Sequence, residues 1–313
     1  MSLKKSEFKT MKSRIKRTKV LIIAGGGIFG CIPAHFLGML PTNHQNMEGI
    51  DVLSGCSIGG ILAAAYAVGQ PFGLIDTVFQ QRAAECFTKR TMAKVNPLAC
   101  PTYRNDCIDK VLTDMIGEAT LGDIKNIYPD LSVVIPALDL TNDKYIVFDN
   151  IRGKRDDVKM KDIGGYTSAA PSYYSGRTLD GNCIVDGGII EVVPLITATT
   201  CVKKNFHTPF CMMDVLVLGT GHDVDEKPLT PKEYDCLGLL GMATDVLVPY
   251  ATLGNKMATI YWGENMGYGY FKYFDPLITN GKLDEVSLIP SLVNQTEQYR
   301  EEFLDTWNEW LNR

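Results

Sequence analysis

The sequence predicts an α/β protein with a mostly parallel central sheet, because a short buried strand, a glycine-rich turn and a helix follow one another twice near its beginning. The first unit reads KVLIIAGGG and then IFGCIPAHFLGML, and the second reads IDVLSGC and then IGGILAAAYAVG. With 313 residues, of which 45% are hydrophobic and 21% charged, the chain can bury a large core in one or two domains. Disorder is therefore not expected.

The later elements follow from the same reading of apolar runs and turn residues. The region from about 72 to 130 is predicted to be mostly helical, and LSVVIPALDL and DKYIVFDN are predicted to be adjacent strands joined by the turn TND. Residues 162–188 predict a short helix, a loop and a strand that ends at Asp186, and MMDVLVLGTG predicts another buried strand. The last helix carries an apolar stripe, which we expect to pack in the core, of Phe303, Trp307, Trp310 and Leu311.

The chain shows no internal repeat and no linker, so we expect a basic N-terminal arm over 1–18 and a single domain over 19–313. Within that domain, the motifs described below lie in about 19–221, and about 222–313 is expected to be mainly helical. The apolar run over 20–40 follows a basic flank, as in a signal peptide, but its glycines and proline favour a strand, a turn and a helix.

Charge and cysteine usage exclude several classes of protein. The net charge of −5 argues against a nucleic-acid partner, because neutralising phosphates requires a basic face. Nine cysteines without a C-x-x-C pair indicate neither a disulfide framework nor a zinc site, and we interpret them as reduced thiols in a soluble, cytoplasmic protein. Cys56 is interpreted as a small buried residue.

Candidate functional residues cluster at three turns that follow predicted strands, where α/β sheets place their sites. GCSIGG fits Gly-x-Ser-x-Gly from Gly55 to Gly59, which would expose the Ser57 hydroxyl at the apex of a sharp turn. The backbone amides of the turn over 25–30 could bind a phosphate or an oxyanion. VDGG places Asp186 at the end of another predicted strand.

Two alternative types of site also fit parts of this sequence. The turn from Gly25 to Gly30 also fits G-x-G-x-x-G, so a dinucleotide-binding oxidoreductase competes, although no acidic residue closes the second strand as that fingerprint requires. An α/β-hydrolase triad would need a histidine after Asp186, and the candidates are His207 and His222. A structural role is expected for both.

Taken together, GGGIFG, GCSIG and DGG occur in an order that resembles the patatin-like phospholipases. The segments IPA, TSAAP and LGTG are also similar, and the similarity spans about 19–221. The resemblance implies a three-layer α/β/α sandwich with helical additions. It also implies motif glycines, which are Gly30, Gly55, Gly59, Gly187 and Gly188.

The resemblance further implies a lipid acyl hydrolase that needs no cofactor and no metal, cleaves fatty acyl esters of phospholipids or related lipids and contacts membranes transiently. In that family Ser57 would be the nucleophile and Asp186 the general base. The oxyanion hole would be formed by amides of Gly25, Gly26, Gly27 and Ile28. Two positions depart from the family pattern, because Ala24 stands where Asp is common and Phe29 where Lys or Arg is common. A catalytically silent, lipid-binding member of the fold is the other alternative.

Overall fold

The computed structural model of the protein describes residues 16–91, 93, 100–223, 248–279 and 281–313. Within these residues the strands are β1 (Thr18–Ile23), β2 (Val52–Gly55), β3 (Ser132–Asp139), β4 (Lys144–Asp149), β5 (Arg177–Leu179), β6 (Asn182–Asp186), β7 (Met213–Leu218), β8 (His222–Asp223), β9 (Tyr270–Phe274) and β10 (Leu277–Ile278). The helices are α1 (Cys31–Gly38), α2 (Ile58–Ala67), α3 (Phe72–Cys86), α4 (Asn105–Ile116), α5 (Ile124–Ile127), α6 (Met160–Thr167), α7 (Leu195–Phe206), α8 (Val248–Asn265), α9 (Ile289–Thr296) and α10 (Arg300–Asn312).

The main sheet has the strand order β5-β6-β3-β2-β1-β7-β9, with β4 also paired to β3. Five neighbouring strands of this sheet are parallel to one another, namely β3, β2, β1, β7 and β9. In contrast, β4, β5 and β6 are antiparallel to their neighbours. The mostly parallel sheet and the β3–β4 hairpin are thus confirmed. The C-terminal part is not purely helical, because β9 extends the sheet beside β7 and β10 pairs with β8.

Helices cover both faces of this sheet, so the three-layer arrangement is confirmed. Successive residues of a strand point to opposite faces. In β1, Leu21 and Ile23 belong to a large core with the helices α1, α2 and α3, whereas Val20 and Ile22 belong to a second core with α7. The continuous apolar run in β1 therefore serves two cores, as expected for a parallel strand buried on both sides.

The C-terminal helix α10 is fixed to the sheet by its apolar stripe and by a buried ionic cluster. Phe303, Trp307 and Trp310 are buried, which confirms the predicted core role. The indole Nε1 of Trp310 donates to the backbone carbonyl of Asp214 at 2.9 Å. The Asp214 carboxylate, fully buried in β7, accepts from Arg17 Nε at 2.8 Å and from Lys19 Nζ at 3.1 Å.

Residues 1–15 of the predicted arm lie outside the described residues, but its end is ordered against the domain. Lys16 Nζ lies 2.7 Å from an Asp51 carboxylate oxygen, and Arg17 takes part in the buried cluster just described. Over the described parts of the chain, no helix is both long enough and apolar enough to cross a membrane.

Candidate active site

Ser57 lies at the sharp turn between β2 and α2, in a backbone conformation that non-glycine residues rarely adopt. Its φ is 54° and its ψ is −126°, a strained conformation that typically costs about 1–3 kcal/mol. The turn is tight because Gly59 lies against β1, where an added Cβ would be 2.2 Å from the carbonyl oxygen of Ile23. The backbone N–H of Ser57 donates to Thr167 Oγ1 at 3.1 Å.

The register of the sheet brings Ser57 and Asp186 together. Residues 132–134 of β3 pair in parallel with β2, and residues 137–139 of the same strand pair antiparallel with β6. The carboxyl ends of β2 and β6 therefore converge near Pro136 from opposite directions. Ser57 follows β2 by two residues, and Asp186 is the last residue of β6. All three predicted turns lie at carboxyl ends of strands, although β6 is not one of the parallel strands.

The Asp186 carboxyl group is buried in the protein, and the Ser57 side chain lies close enough to influence its pKa. The Oδ1 atom of Asp186 accepts from the backbone N–H of Gly188 at 2.7 Å, and the Cys56 thiol lies 3.7 Å from the same oxygen. Burial raises the pKa of Asp186 from its ordinary value of 3.8 to about 6, and the neighbouring Ser57 hydroxyl, Gly188 N–H and Cys56 thiol oppose that rise. A carboxylate with such a pKa is a stronger base than an exposed aspartate.

The glycine-rich turn after β1 packs directly against this pair, but its amides are not equivalent. An added Cβ on Gly25 would lie 3.2 Å from the Cβ of Ser57. The N–H of Gly25 donates to the carbonyl of Val192 at 2.9 Å, and the N–H of Ile28 donates to the carbonyl of Leu283 at 2.8 Å.

Among the described residues, the N–H groups of Gly26 and Gly27 have no acceptor. Of the four amides predicted to form an oxyanion hole, two are therefore engaged and two are available.

The other motif glycines are positions of close contact. A Cβ on Gly30 would lie 2.3 Å from the side chain of Ile58, so the glycine-rich turn packs onto the start of α2. A Cβ on Gly55 would lie 2.1 Å from the carbonyl oxygen of Gly59. A Cβ on Gly187 would lie 2.8 Å from the carbonyl oxygen of Pro136. The first contact joins the glycine-rich turn to the serine turn, the second tightens the serine turn, and the third holds the Asp186 turn against β3.

Sequence reasoning assigned no role to two threonines that position the site. Thr167 Oγ1 donates to the carbonyl of Pro136 at 2.7 Å while it accepts from Ser57, so it links the serine turn to β3. Thr220 Oγ1 donates to the carbonyl of Gly25 at 3.1 Å. Both lie in segments, TSAAP and LGTG, whose only signal in the sequence is their similarity to the family.

The two departures from the family pattern are buried. Ala24 is fully buried, and its N–H donates to the carbonyl of Leu218 at 2.9 Å. Phe29 is 4% exposed and packs in the large core. The ring of Phe29 therefore occupies core volume, and position 29 supplies no positive charge to the site.

None of the histidines in the described part of the chain hydrogen-bonds to Ser57 or Asp186. His207 ends α7 in a left-handed conformation. His222 Nδ1 lies 3.5 Å from Asp275, and His35 lies between the carboxylates of Asp76 and Glu297. These positions do not favour an α/β-hydrolase triad.

The dinucleotide interpretation is not favoured either. It requires an acidic residue at the carboxyl end of the second strand, where it can bind a ribose. Asp51 precedes β2 at the opposite end, and its carboxylate accepts from the backbone N–H of Lys19 at 2.8 Å. Asp51 therefore links the beginnings of β1 and β2 and does not lie at the end of β2 where a ribose would bind.

Comparison with known proteins agrees with the motifs. The protein is 27% identical to a cGAMP-activated phospholipase of Vibrio cholerae, over 75% of this chain and 73% of that protein. It is 26% identical to Patatin-like protein 2 of Oryza sativa, over 71% of this chain and 59%, less than two thirds, of the rice protein. The crystal structure of VipD from Legionella pneumophila superposes with a TM-score of 0.47 at 12% identity, covering 93% of this chain and 67% of VipD. The family model described as patatin-like phospholipase matches residues 21–199, more than half of the sequence, and the chain belongs to that family.

Proposed function

We propose that the protein is a serine lipid acyl hydrolase in which Ser57 is the nucleophile and Asp186 the general base. Membership of the patatin-like phospholipases supports lipid hydrolase activity in general. The observation that carries the specific proposal is the strained Ser57 turn, whose hydroxyl lies beside a buried carboxylate with a pKa raised to about 6. A nucleophile beside its base is the arrangement that covalent catalysis requires.

In the proposed acylation step, Ser57 Oγ attacks the carbonyl carbon of a fatty acyl ester as its proton passes to the Asp186 carboxylate. The carbonyl oxygen becomes an oxyanion, which we expect the N–H groups of Gly26 and Gly27 to stabilise. When the tetrahedral intermediate collapses, the C–O bond to the alcohol breaks. The departing alkoxide takes the proton from Asp186, and the acyl group remains on Ser57.

Deacylation repeats the sequence with water. Asp186 accepts a proton from a water molecule that attacks the acyl carbon, and the same proton then returns to Ser57 Oγ as the fatty acid leaves. One water molecule is consumed for each ester bond that is cleaved. The chemistry needs neither a metal nor an organic cofactor, since every proton moves between the two side chains, water and the alcohol.

We propose fatty acyl esters of phospholipids or related lipids as substrates, since the family and the relative from Vibrio cholerae are both named as phospholipases. We also propose a cytoplasmic protein that contacts membranes transiently. The basic arm over 1–18, in which Glu7 is the single acid, would contribute to that contact.

The experiment that tests the function combines active-site labelling with lipid turnover. Wild-type protein should react with a fluorophosphonate at Ser57, as located by peptide mapping, and should release fatty acid from phospholipid vesicles. Ser57→Ala should lose both, whereas the matched control Ser291→Ala, at an exposed serine of α9, should keep both.

A wild-type protein that binds vesicles but releases no fatty acid would be a silent member of the fold. Labelling at any other serine would remove Ser57 from the mechanism.

A further inference from the structure

From 251 onwards, helix α8 carries its large apolar side chains outwards, which is the reverse of the usual arrangement. Met257 is 62% exposed and Tyr261 is 63% exposed, and the other exposed large apolar side chains in this part of the helix are Leu253, Ile260 and Trp262. Positions 257, 260 and 261 follow position 253 by four, seven and eight residues, so the four side chains form one stripe along the helix. Exposed apolar stripes of this size on soluble proteins are typically interaction sites.

The inward side of α8 is polar and tightly bonded, so the helix cannot simply rotate to bury its apolar stripe. Lys256 Nζ donates to the carbonyl of Gly221 at 2.7 Å, and Thr259 is buried. Asn255 accepts from the N–H of Val192 at 2.9 Å and donates to the carbonyl of Ile190 at 2.9 Å. The outward orientation is therefore fixed by hydrogen bonds.

These bonds join the stripe to the active site. Gly188 donates to the Asp186 carboxylate, and the next two residues, Ile189 and Ile190, are 49% and 53% exposed. Val192, which follows them, accepts from the N–H of Gly25 in the glycine-rich turn. We call Ile189, Ile190 and the five exposed apolar residues of α8 the outer apolar face. The hydrogen bonds of Asn255 link α8 to this segment, which leads to the site that holds Ser57.

We propose that the outer apolar face is the surface by which the protein docks on a lipid bilayer. The proposal rests on the proposed function, because an enzyme that cleaves membrane lipids must receive a substrate whose acyl chains lie in a bilayer. A docking face beside the site lets a lipid move to Ser57 without exposing its chains to water. Tyr261 and Trp262 suit this role, since their rings favour the boundary between water and hydrocarbon.

The charges around the face fit a lipid surface. From 251 to 265 the helix contains one cation, Lys256, and one carboxylate, Glu264, which lies on the stripe near the end of the helix, so its apolar centre at Leu253 and Met257 is free of negative charge. Helix α7, which contacts α8, ends with the exposed residues Lys203 and Lys204. An apolar centre with basic residues beside it is typical of surfaces that bind anionic membranes.

The test measures binding to vesicles of phosphatidylcholine with one-fifth phosphatidylserine, using Met257→Glu and Tyr261→Glu. Each substitution should weaken vesicle binding about tenfold or more, because an anchoring side chain is lost and a charge would have to enter the interface. The matched control is Leu74→Glu, because Leu74 is 48% exposed on α3 at the other face of the sheet. That control should bind like wild type.

A spectroscopic measurement locates the contact independently. Of the three tryptophans, Trp307 and Trp310 are buried, whereas Trp262 is 41% exposed within the outer apolar face. Brominated phosphatidylcholine should therefore quench the tryptophan emission of wild-type protein, and Trp262→Phe should remove the quenching. Quenching that persists in this variant would overturn the proposal.

Hydrolysis of a soluble short-chain ester separates this proposal from the proposed function. Met257→Glu and Tyr261→Glu should keep the wild-type rate on that ester while losing hydrolysis of vesicle lipid. If wild type hydrolyses no ester but the variants still lose vesicle binding, the function fails and the docking face stands. If both variants bind vesicles normally, the face is not the docking surface. A dimer that dissociates in the variants with vesicle binding unchanged would assign the face to a second copy and also overturn the proposal.

Discussion

Replacing Asp186 by asparagine should inactivate the protein and stabilise it at the same time. The asparagine side chain has nearly the same shape, so its amide oxygen can still accept from Gly188 and its NH2 group can donate to Ser57. It cannot accept a proton at neutral pH, and a lost general base typically reduces turnover by about 10²–10⁴-fold. What changes in the folded state is the removal of one buried negative charge.

The magnitude follows from the pKa of Asp186, which burial raises from 3.8 to about 6. The difference, 6 minus 3.8, is about 2.2 pH units, and at about 1.4 kcal/mol per unit it corresponds to about 3 kcal/mol. The sign is set by proton binding. Between pH 3.8 and 6 the folded state holds the proton more tightly, so stability falls as the pH rises. Above pH 6 the full cost of the buried charge is present, and below pH 3.8 it is absent.

We therefore expect Asp186→Asn to raise the free energy of unfolding by up to about 3 kcal/mol at pH 7.5, with a gain that shrinks as the pH approaches 4. Urea unfolding at several pH values measures this. The control is Asp157→Asn at an exposed position, which should change stability by no more than about 0.5 kcal/mol. A variant that is less stable than wild type at pH 7.5, or that keeps wild-type turnover, would refute the reasoning.

The other predictions concern the turn, the base, the sheet and the arm. Gly27→Ala should lower ester turnover at least about a hundredfold, because φ at Gly27 is 56° and the new methyl would lie 2.3 Å from the carbonyl oxygen of Leu283; full activity would remove this turn from the mechanism. Turnover of a soluble ester should rise with pH around a midpoint near 6 in wild type and equally in His222→Asn, and loss of activity in that variant would restore a histidine-dependent triad. Asp214→Asn should lower the free energy of unfolding by about 3 kcal/mol in urea, since two cations lose their buried carboxylate; an unchanged urea midpoint would contradict this. Deleting residues 1–15 should weaken binding to anionic vesicles at low salt and spare soluble-ester hydrolysis, and unchanged binding would leave the arm without a membrane role.

The local elements of the site could be predicted from the sequence because their causes are local. A buried apolar run followed by glycine and a helix-forming segment predicts a strand, a tight turn and a helix wherever it occurs, so the turns at Gly25 and Ser57 were predicted with their neighbours. The same reasoning placed Asp186 at the end of a strand and Trp310 on a core-facing stripe, and both positions are confirmed.

The partners of individual groups could not be predicted, because they come from distant parts of the chain. The amides of Gly25 and Ile28 look equivalent to those of Gly26 and Gly27 in the sequence, yet carbonyls more than 160 residues away engage the first pair. Likewise, an apolar helix normally turns its apolar side to the core. In α8 the hydrogen bonds made by Asn255 and Lys256 fix the opposite orientation, with the apolar side facing outwards.

The residue pattern predicts a mostly parallel α/β sheet and places a serine and an aspartate at the ends of two of its strands. That these two ends meet could not be predicted from the pattern. Strand order and register depend on pairings between distant segments, and here β3 pairs with β2 in one direction and with β6 in the other. That pairing sets Asp186 against Ser57, and the surrounding core removes its carboxylate from water, which is the physical reason for its raised pKa.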